Sequence, residues 1–171
     1  MTLTKAYREL RSVDVPMQSD IDSQLIYQTV LKTQPRNILE IGFKDGYSLG
    51  LIIEAISGPA SVTTVDITHE SIPQFVNLYK EELEQIDLRM VTKDSREMVD
   101  HPYDFIHVDG NHGYEFVASD LRYALRNLIK SGTLMVDDCH LPDVKRAVDE
   151  VLVSSDLKLV GQGFTQTVWR R

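Results

Sequence analysis

The stretch HVDGNHGYE, His107 to Glu115, opens as a buried strand would. Within a few residues it presents an acid, an amide and an imidazole: Asp109, Asn111 and His112. A second exit of this kind follows in VDDCH, where Asp137 and Asp138 precede Cys139 and His140. Neighbouring strands of a sheet lie roughly 4.8 Å apart, so carboxylates at two adjacent exits can converge on one point. Three acids in one pocket repel, so some are protonated or face away, or a cation sits among them. Hard oxygen ligands favour Mg²⁺, with Mn²⁺ or Ca²⁺ also suitable, and Mg²⁺ retains positions for water or substrate oxygens. An ion held by Asp109, Asp137 and Asp138 would bind substrate oxygens and lower the pKa of a hydroxyl. His112, with an ordinary pKa of about 6.5, would then take that proton near neutral pH.

Plainer roles stand beside these. Asp, Gly and Asn are ordinary turn residues. Asp138 could cap the following helix and His112 the helix beginning near Tyr114, while Asn111 either positions substrate or shapes the turn. His107 alternates with the apolar residues of its strand and reads as a packed core histidine. A softer metal using His140 is conceivable, but a single Cys and no Cys-x-x-Cys argue against a structural zinc site.

The elements that must position these residues alternate along the chain. DIDSQLIYQTVLKTQ places Ile21, Leu25, Val30 and Leu31 at roughly helical spacing, and PRNILEIG follows as a short apolar run. The same order recurs: helix YSLGLIIEAIS, strand SVTTVDI, helix SIPQFVNLYKEELEQ, strand LRMVTK, a short turn SREMV, and strand YDFIHVD. Next, YEFVASDLRYALRNLIK carries Val117, Leu121, Ala124, Leu125 and Leu128 on one face, GTLMVDD is a strand and LPDVKRAVDEVLV a helix. LKLVGQGFTQTVWR reads as two strands joined at Gly161 to Gly163. Alternation with near-continuous apolar strands predicts an α/β fold: a doubly wound, mostly parallel sheet, closed by a C-terminal hairpin. Ligands of such sheets sit at the carboxyl ends of the strands.

Composition narrows the partners. A chain of 171 residues is most simply one domain, here 1–171 with a polar N-terminal lead over 1–19, able to bury roughly 70% of its unfolded surface. A net charge of -8 argues against nucleic acid, because no basic face is visible, and favours a small-molecule substrate. The longest apolar run, around LGLIIEAI, is too short to cross a bilayer, and MTLTKAYREL lacks a secretory signal, so a cytoplasmic protein is expected.

Two further exits bear on a ligand. In LEIGFKDGYS, Gly42 and Gly46 bracket a tight loop opening a helix near Tyr47, where glycine permits close backbone approach and the helix start offers free N–H groups. The Gly-x-x-x-Gly spacing is not the Gly-x-Gly-x-x-Gly of dinucleotide binders. Asp66 ends TTVDIT about two dozen residues on, where such folds place an acid for ribose hydroxyls; Thr68 is the better candidate for the next helix cap. In KDSRE, Asp94 or Ser95 could cap a short helix.

Taken in order, ILEIGFKDGYS, TTVDIT, KDS, YDFIHVDGNHGYE and SGTLMVDDCH resemble class I S-adenosylmethionine-dependent methyltransferases. The likeness is greatest to the metal-assisted O-methyltransferases of the catechol, macrocin and cephalosporin-pathway branch, and runs from about Asp20 to the end. It implies a Rossmann-like sheet of seven strands whose last strand is antiparallel. Glu40 and Gly42 would lie near the methionine part of the cofactor, with Gly46, Tyr47 and Ser48 completing that loop. Asp66 would hold the ribose, and Asp94 with Ser95 would flank the adenine. The acid stations would bind a divalent metal, and some macrocin-type relatives carry a histidine at the place of His112. Lys44 and Asp45 depart from the pattern, standing where many such enzymes have a second glycine or small residue.

The implied activity is transfer of a methyl group to a hydroxyl of a sugar, catechol or similar small molecule. A metal-dependent hydroxylase or hydrolase could reuse the same acids, and a binding module could keep the cofactor pocket without turnover. The connections after the fifth strand and before the last are short, which leaves the pocket open or completed by a second subunit in a homodimer.

Overall fold

The computed structural model of the protein describes residues 4–10, 20–68 and 70–171. Of the N-terminal lead, residues 1–3 and 11–19 lie outside the described residues. The chain runs α1 (Lys5–Glu9), α2 (Asp20–Thr33), β1 (Asn37–Ile41), α3 (Tyr47–Ala55), β2 (Ala60–Asp66), α4 (Ile72–Leu78), β3 (Ile86–Thr92) and β4 (Tyr103–Val108). It continues through α5 (Tyr114–Asn127), β5 (Leu128–Val136), α6 (Pro142–Val151), β6 (Lys158–Gln162) and β7 (Thr167–Arg170). Seven strands form one sheet in the order β3-β2-β1-β4-β5-β7-β6, and only β7 runs against the rest. The doubly wound architecture expected from the apolar runs is therefore present. No helix among the described residues is long and apolar enough to cross a membrane.

Strand alternation sends side chains to two cores. Leu39, Ile41, Ile106, Val108, Leu134 and Val136 pack against α5 and α6. Ile38, Val62, Phe105, Met135 and Val168 pack under α2 and α3. Register then fixes the exits. Ile41 pairs with both Val65 and Val108, and Val108 with Val136, so Gly42, Asp109 and Asp137 each stand one residue past a paired end, and Asp66 is the last residue of β2, paired with Thr92. The ladder continues through those residues: Gly42 N–H donates to Val65 O at 2.8 Å, Asp109 N–H to Ile41 O at 2.8 Å, and Asp137 N–H to Val108 O at 3.0 Å. The exits are thus fixed by the same hydrogen bonds that hold the sheet.

Several elements differ from the sequence reading. On α2 the buried face is Asp22, Ser23, Ile26 and Val30, while Ile21 and Leu31 are 61% and 45% exposed. The cause is tertiary: the wholly buried Asp22 carboxylate accepts the backbone N–H groups of Phe164 and Thr165 in the β6–β7 turn, rotating the apolar face expected for this helix. The helix read over 71–85 stops at Leu78 and resumes only as a 3₁₀ turn at Glu82–Gln85. There the buried Tyr79 stacks on Phe75 and donates its hydroxyl to Glu54. Ser71, not Thr68, occupies the N-cap of α4. The hairpin turn lies at 163–166, closed by Gly163 N–H to Gln166 O, and Gly161 belongs to β6.

Candidate active site

A cavity of about 900 Å³ opens at the carboxyl ends of β1, β2, β4 and β5. Its walls include Gly42, Tyr47, Ser48, Asp66, Asp94, Ser95, Asp109, His112, Asp137 and Asp138. Ten of the twelve residues given a site role from the sequence therefore share one hollow. The other two differ. Gly46 sits just behind the wall, against the rings of Phe43 and Phe75. Glu40 is off the wall altogether, wholly buried on β1, with Oε2 accepting the Thr64 hydroxyl at 3.0 Å. Strand alternation is the reason: Glu40 pairs in register with Thr64 and His107, one row beneath the exits.

The glycine loop is a sequence of left-handed residues. Gly42, Lys44 and Gly46 have φ of 97°, 48° and 76°. Lys44 adopts this conformation without glycine's freedom, at the point where the resemblance leads one to expect a smaller residue. A Cβ on Gly42 would lie 2.0 Å from the Asp109 carbonyl oxygen, so close strand packing, besides any ligand, requires glycine here. Asp66 stabilises the loop: its Oδ2 accepts the N–H groups of Phe43 at 2.7 Å and Lys44 at 3.0 Å. Partial burial raises its pKa, but these donors outweigh that effect and hold the carboxyl below its ordinary value. Its Oδ1 accepts a long 3.3 Å bond from Thr68 N–H and faces the hollow as a carboxylate acceptor.

On the other flank, Asp94 caps a 3₁₀ turn by accepting Arg96 N–H, and both its oxygens face the Arg96 guanidinium. Those Arg96 contacts hold its carboxyl down at about 2. Arg96 also lies over the Phe116 ring at 4.1 Å, making a flat wall of paired charge and aromatic surface. Ser95 donates to the buried Asp120 at 2.7 Å. Burial lifts Asp120 to about 6 against the lowering effect of Ser95, whereas an unfolded aspartate titrates near about 4. The folded state therefore keeps a proton that the unfolded chain gives up, and stability falls as pH rises between roughly 4 and 6, by about 3 kcal/mol. Asp120→Asn keeps an acceptor for Ser95 without the charge. Its melting temperature is expected to exceed the wild type's by several degrees at pH 7.5 and to match it at pH 4, in paired thermal melts across that range.

The acid exits contain the densest chemistry. Asp137 is 5% exposed, with Oδ1 accepting Asp138 N–H at 2.6 Å and Oδ2 accepting the Gln166 amide at 3.0 Å. The Thr165 hydroxyl lies between Asp137 Oδ1 at 2.8 Å and Asp22 Oδ2 at 3.0 Å, and its one proton serves one of them at a time. Asp138 takes the left-handed φ of 53° and turns outward, with His112 Nε2 at 3.0 Å from Oδ2 and His140 Nδ1 at 3.6 Å from Oδ1. Neither plainer reading applies: Asp138 caps no helix through its side chain, and Gly113, not His112, is the N-cap of α5. Asn111 does shape the turn, accepting Gly113 N–H at 2.8 Å.

Burial, then the neighbouring Asp137, raises the pKa of Asp109 well above the usual range, and the same two causes raise Asp138 against the pull of His112 and His140. The possible ligand atoms fall into two triads within 4.8 Å, His107–Asp109–Asp137 and Asp109–His112–Asp138. The single set Asp109–Asp137–Asp138 expected from the sequence is divided because consecutive residues, one inward and one outward, carry the last two acids. Such a mixture of carboxylates and imidazole fits a divalent cation. Reading the sequence alone missed Arg96, Phe116, Asp22, Thr165, Gln166 and the ligand-distance placement of His107. Of these only Thr165 and Gln166, polar residues just before a hairpin strand, stood where a signal could have been sought.

A doubly wound sheet of this order, with a glycine loop after β1 and an acid at the end of β2, defines the class I S-adenosylmethionine-dependent methyltransferase fold. The chain belongs to the methyltransferase domain family, whose profile matches residues 39–139, more than half of its length. Among solved structures it is similar to the methyltransferase PaMTH1 of Podospora anserina, bound to S-adenosylhomocysteine (SAH), with a TM-score of 0.70 and 19% identity over 90% of this chain and 79% of that one. It is likewise similar to an O-methyltransferase of Bacillus cereus in complex with SAH (TM-score 0.68, 18% identity, 97% and 86% covered). A third is the O-methyltransferase TomG of Streptomyces achromogenes, of tomaymycin synthesis, in complex with S-adenosylmethionine (SAM; TM-score 0.68, 18% identity, 98% and 86% covered). No curated protein matches the chain.

Proposed function

We propose that this methyltransferase carries a methyl group from SAM to a hydroxyl oxygen of a small molecule, with a divalent cation, Mg²⁺ or a similar ion, at the acid exits. One observation carries the reading: Asp66 and the glycine loop share a single hollow with Asp109, Asp137, Asp138 and His112. Membership of the family and similarity to two structures named as O-methyltransferases support it.

SAM supplies a methyl group already activated on a sulfonium, and a divalent cation would favour the ionised form of the acceptor hydroxyl. The chain's own residues do the rest. Asp66 Oδ1 would accept the ribose hydroxyls while Oδ2 fixes the loop, and Ser95 with the Arg96–Phe116 wall would flank the adenine. Asp109, the acid common to both triads, would hold the cation together with Asp137 or Asp138. His112 would receive the acceptor's proton, its ring oriented by Asp138 at 3.0 Å. Rate acceleration then rests largely on holding the acceptor oxygen and the methyl carbon in line at near-contact distance. The connections after β5 and between β6 and β7 are short, so the acceptor side stands open unless a second copy of the chain covers it.

A thermal-shift panel of SAM, SAH, NADH and ATP, with Mg²⁺ or with chelator, tests the ligand assignment, because ligands that bind the folded state raise apparent stability. Only SAM and SAH are expected to raise the melting temperature, and Asp66→Ala should reduce that response by at least half. An equal response to NADH would overturn the cofactor assignment. Methyl transfer that persists undiminished in chelator would remove the cation from the reading.

A further inference from the structure

Beneath the exits lies a second set of polar groups that the proposed mechanism leaves unused. His107 is wholly buried on β4, and neither ring nitrogen has a hydrogen-bond partner among the described residues. Its Nδ1 stands 3.8 Å from Glu40 Oε1, which is equally buried and also lacks a hydrogen-bond partner. One row above, on the same face, Asp109 and Asp137 each offer a carboxylate oxygen within 4.8 Å of a His107 nitrogen and of one another. Leaving a polar atom buried without a hydrogen bond costs about 1–3 kcal/mol, so an imidazole whose two nitrogens make none, beside three carboxylates, is placed to serve as a cation ligand.

Charge balance agrees. Glu40, Asp109 and Asp137 line this strip and His107 is the basic group among them. Asp137 Oδ2 faces the same strip and accepts the Gln166 amide at 3.0 Å. The other triad is less enclosed: the His112 and Asp138 side chains are 48% and 27% exposed, and they already pair with each other.

Resting on the reading that a cation serves this site, we infer that the cation sits in the inner triad, with His107, Asp109 and Asp137 as its protein ligands, and that His107 makes the site select an imidazole-tolerant ion such as Mn²⁺, Co²⁺ or Zn²⁺ over Mg²⁺ or Ca²⁺. Imidazole is a borderline donor suited to first-row transition ions, whereas Mg²⁺ and Ca²⁺ take oxygen. Asp138 and His112 are then left as a close acid–imidazole pair facing the acceptor. His107 thereby passes from a core histidine to a ligand.

Mn²⁺ is the probe. Isothermal titration is expected to give Mn²⁺ at least a tenfold lower Kd than Mg²⁺, and pulsed electron paramagnetic resonance of the Mn²⁺ protein to show nitrogen coupling from a directly bound imidazole. That coupling should survive in a His112→Ala/His140→Ala double variant. In His107→Gln it should vanish and Mn²⁺ affinity fall at least tenfold, with the SAH-induced thermal shift retained as proof of folding. Should His107→Gln not fold, the double variant still decides, because coupling that persists there has no other histidine of this site as its source. Loss of coupling in the double variant, or bound Mn²⁺ with no nitrogen coupling, overturns the inner triad while sparing a cation at the exits. Absence of any Mn²⁺ or Mg²⁺ binding overturns both.

Discussion

Asp109→Asn is expected to lower kcat/KM for methyl transfer by about a thousandfold, roughly 4 kcal/mol of transition-state stabilisation, while SAH still raises the melting temperature as in the wild type. Asp109 belongs to both triads, so its carboxylate is the one ligand that either seating of the cation requires. The substitution keeps the side chain's shape and leaves the N–H to Ile41 O in place, so the β1–β4 exit is preserved. Burial and Asp137 disfavour the Asp109 charge, so without metal the Asn variant should melt no lower than the wild type. Adding Mn²⁺ should then stabilise the wild type and not the variant. Steady-state kinetics beside thermal melts with and without metal checks all four outcomes, and retained turnover would refute the role given to Asp109.

Gly42→Ala should have the largest effect on folding. A methyl group at that position would meet the Asp109 carbonyl oxygen at 2.0 Å and its carbon at 2.6 Å, both backbone atoms held by the sheet. Relief would require β1 and β4 to separate where their ladder continues through Asp109 N–H to Ile41 O. Overpacking of this kind costs about 1–3 kcal/mol, and the φ of 97° adds about 1–2 kcal/mol for a residue with a Cβ. A loss of about 4 kcal/mol and a fall in melting temperature of roughly 10 °C are expected by chemical denaturation and calorimetry. Cofactor response and methyl transfer should fall with it, because the same shift displaces the loop that Asp66 holds. A variant with unchanged stability would show that the exits are not as tightly joined as their hydrogen bonds indicate.

The sequence by itself determined the architecture and the stations. Apolar strands at regular intervals between amphipathic helices admit little but a doubly wound sheet, and ligand-binding residues of such sheets stand where strands end. Asp66, Asp109 and Asp137 were legible for that reason: each ends an apolar run, and a period of two residues carries it to a definite face. Gly42 was legible as a turn residue, though its contact with Asp109 was not.

What only the tertiary structure decided is how side chains at those stations divide. Glu40 lies two residues before Gly42 on the same face, yet the sheet closes over it and pairs it with Thr64 and His107, away from the hollow. Asp137 and Asp138 are adjacent in sequence, and the left-handed φ of Asp138 sends one inward to Thr165 and Gln166 and the other outward to His112. Asp22 reads as an ordinary first-turn acid of α2, but it fixes a hairpin turn more than 140 residues away and so the partners of Asp137. Periodicity reports which face a residue takes; it carries no information about partners brought close by strand order, register and a single backbone dihedral, and at this site those partners decide which carboxylates share a charge.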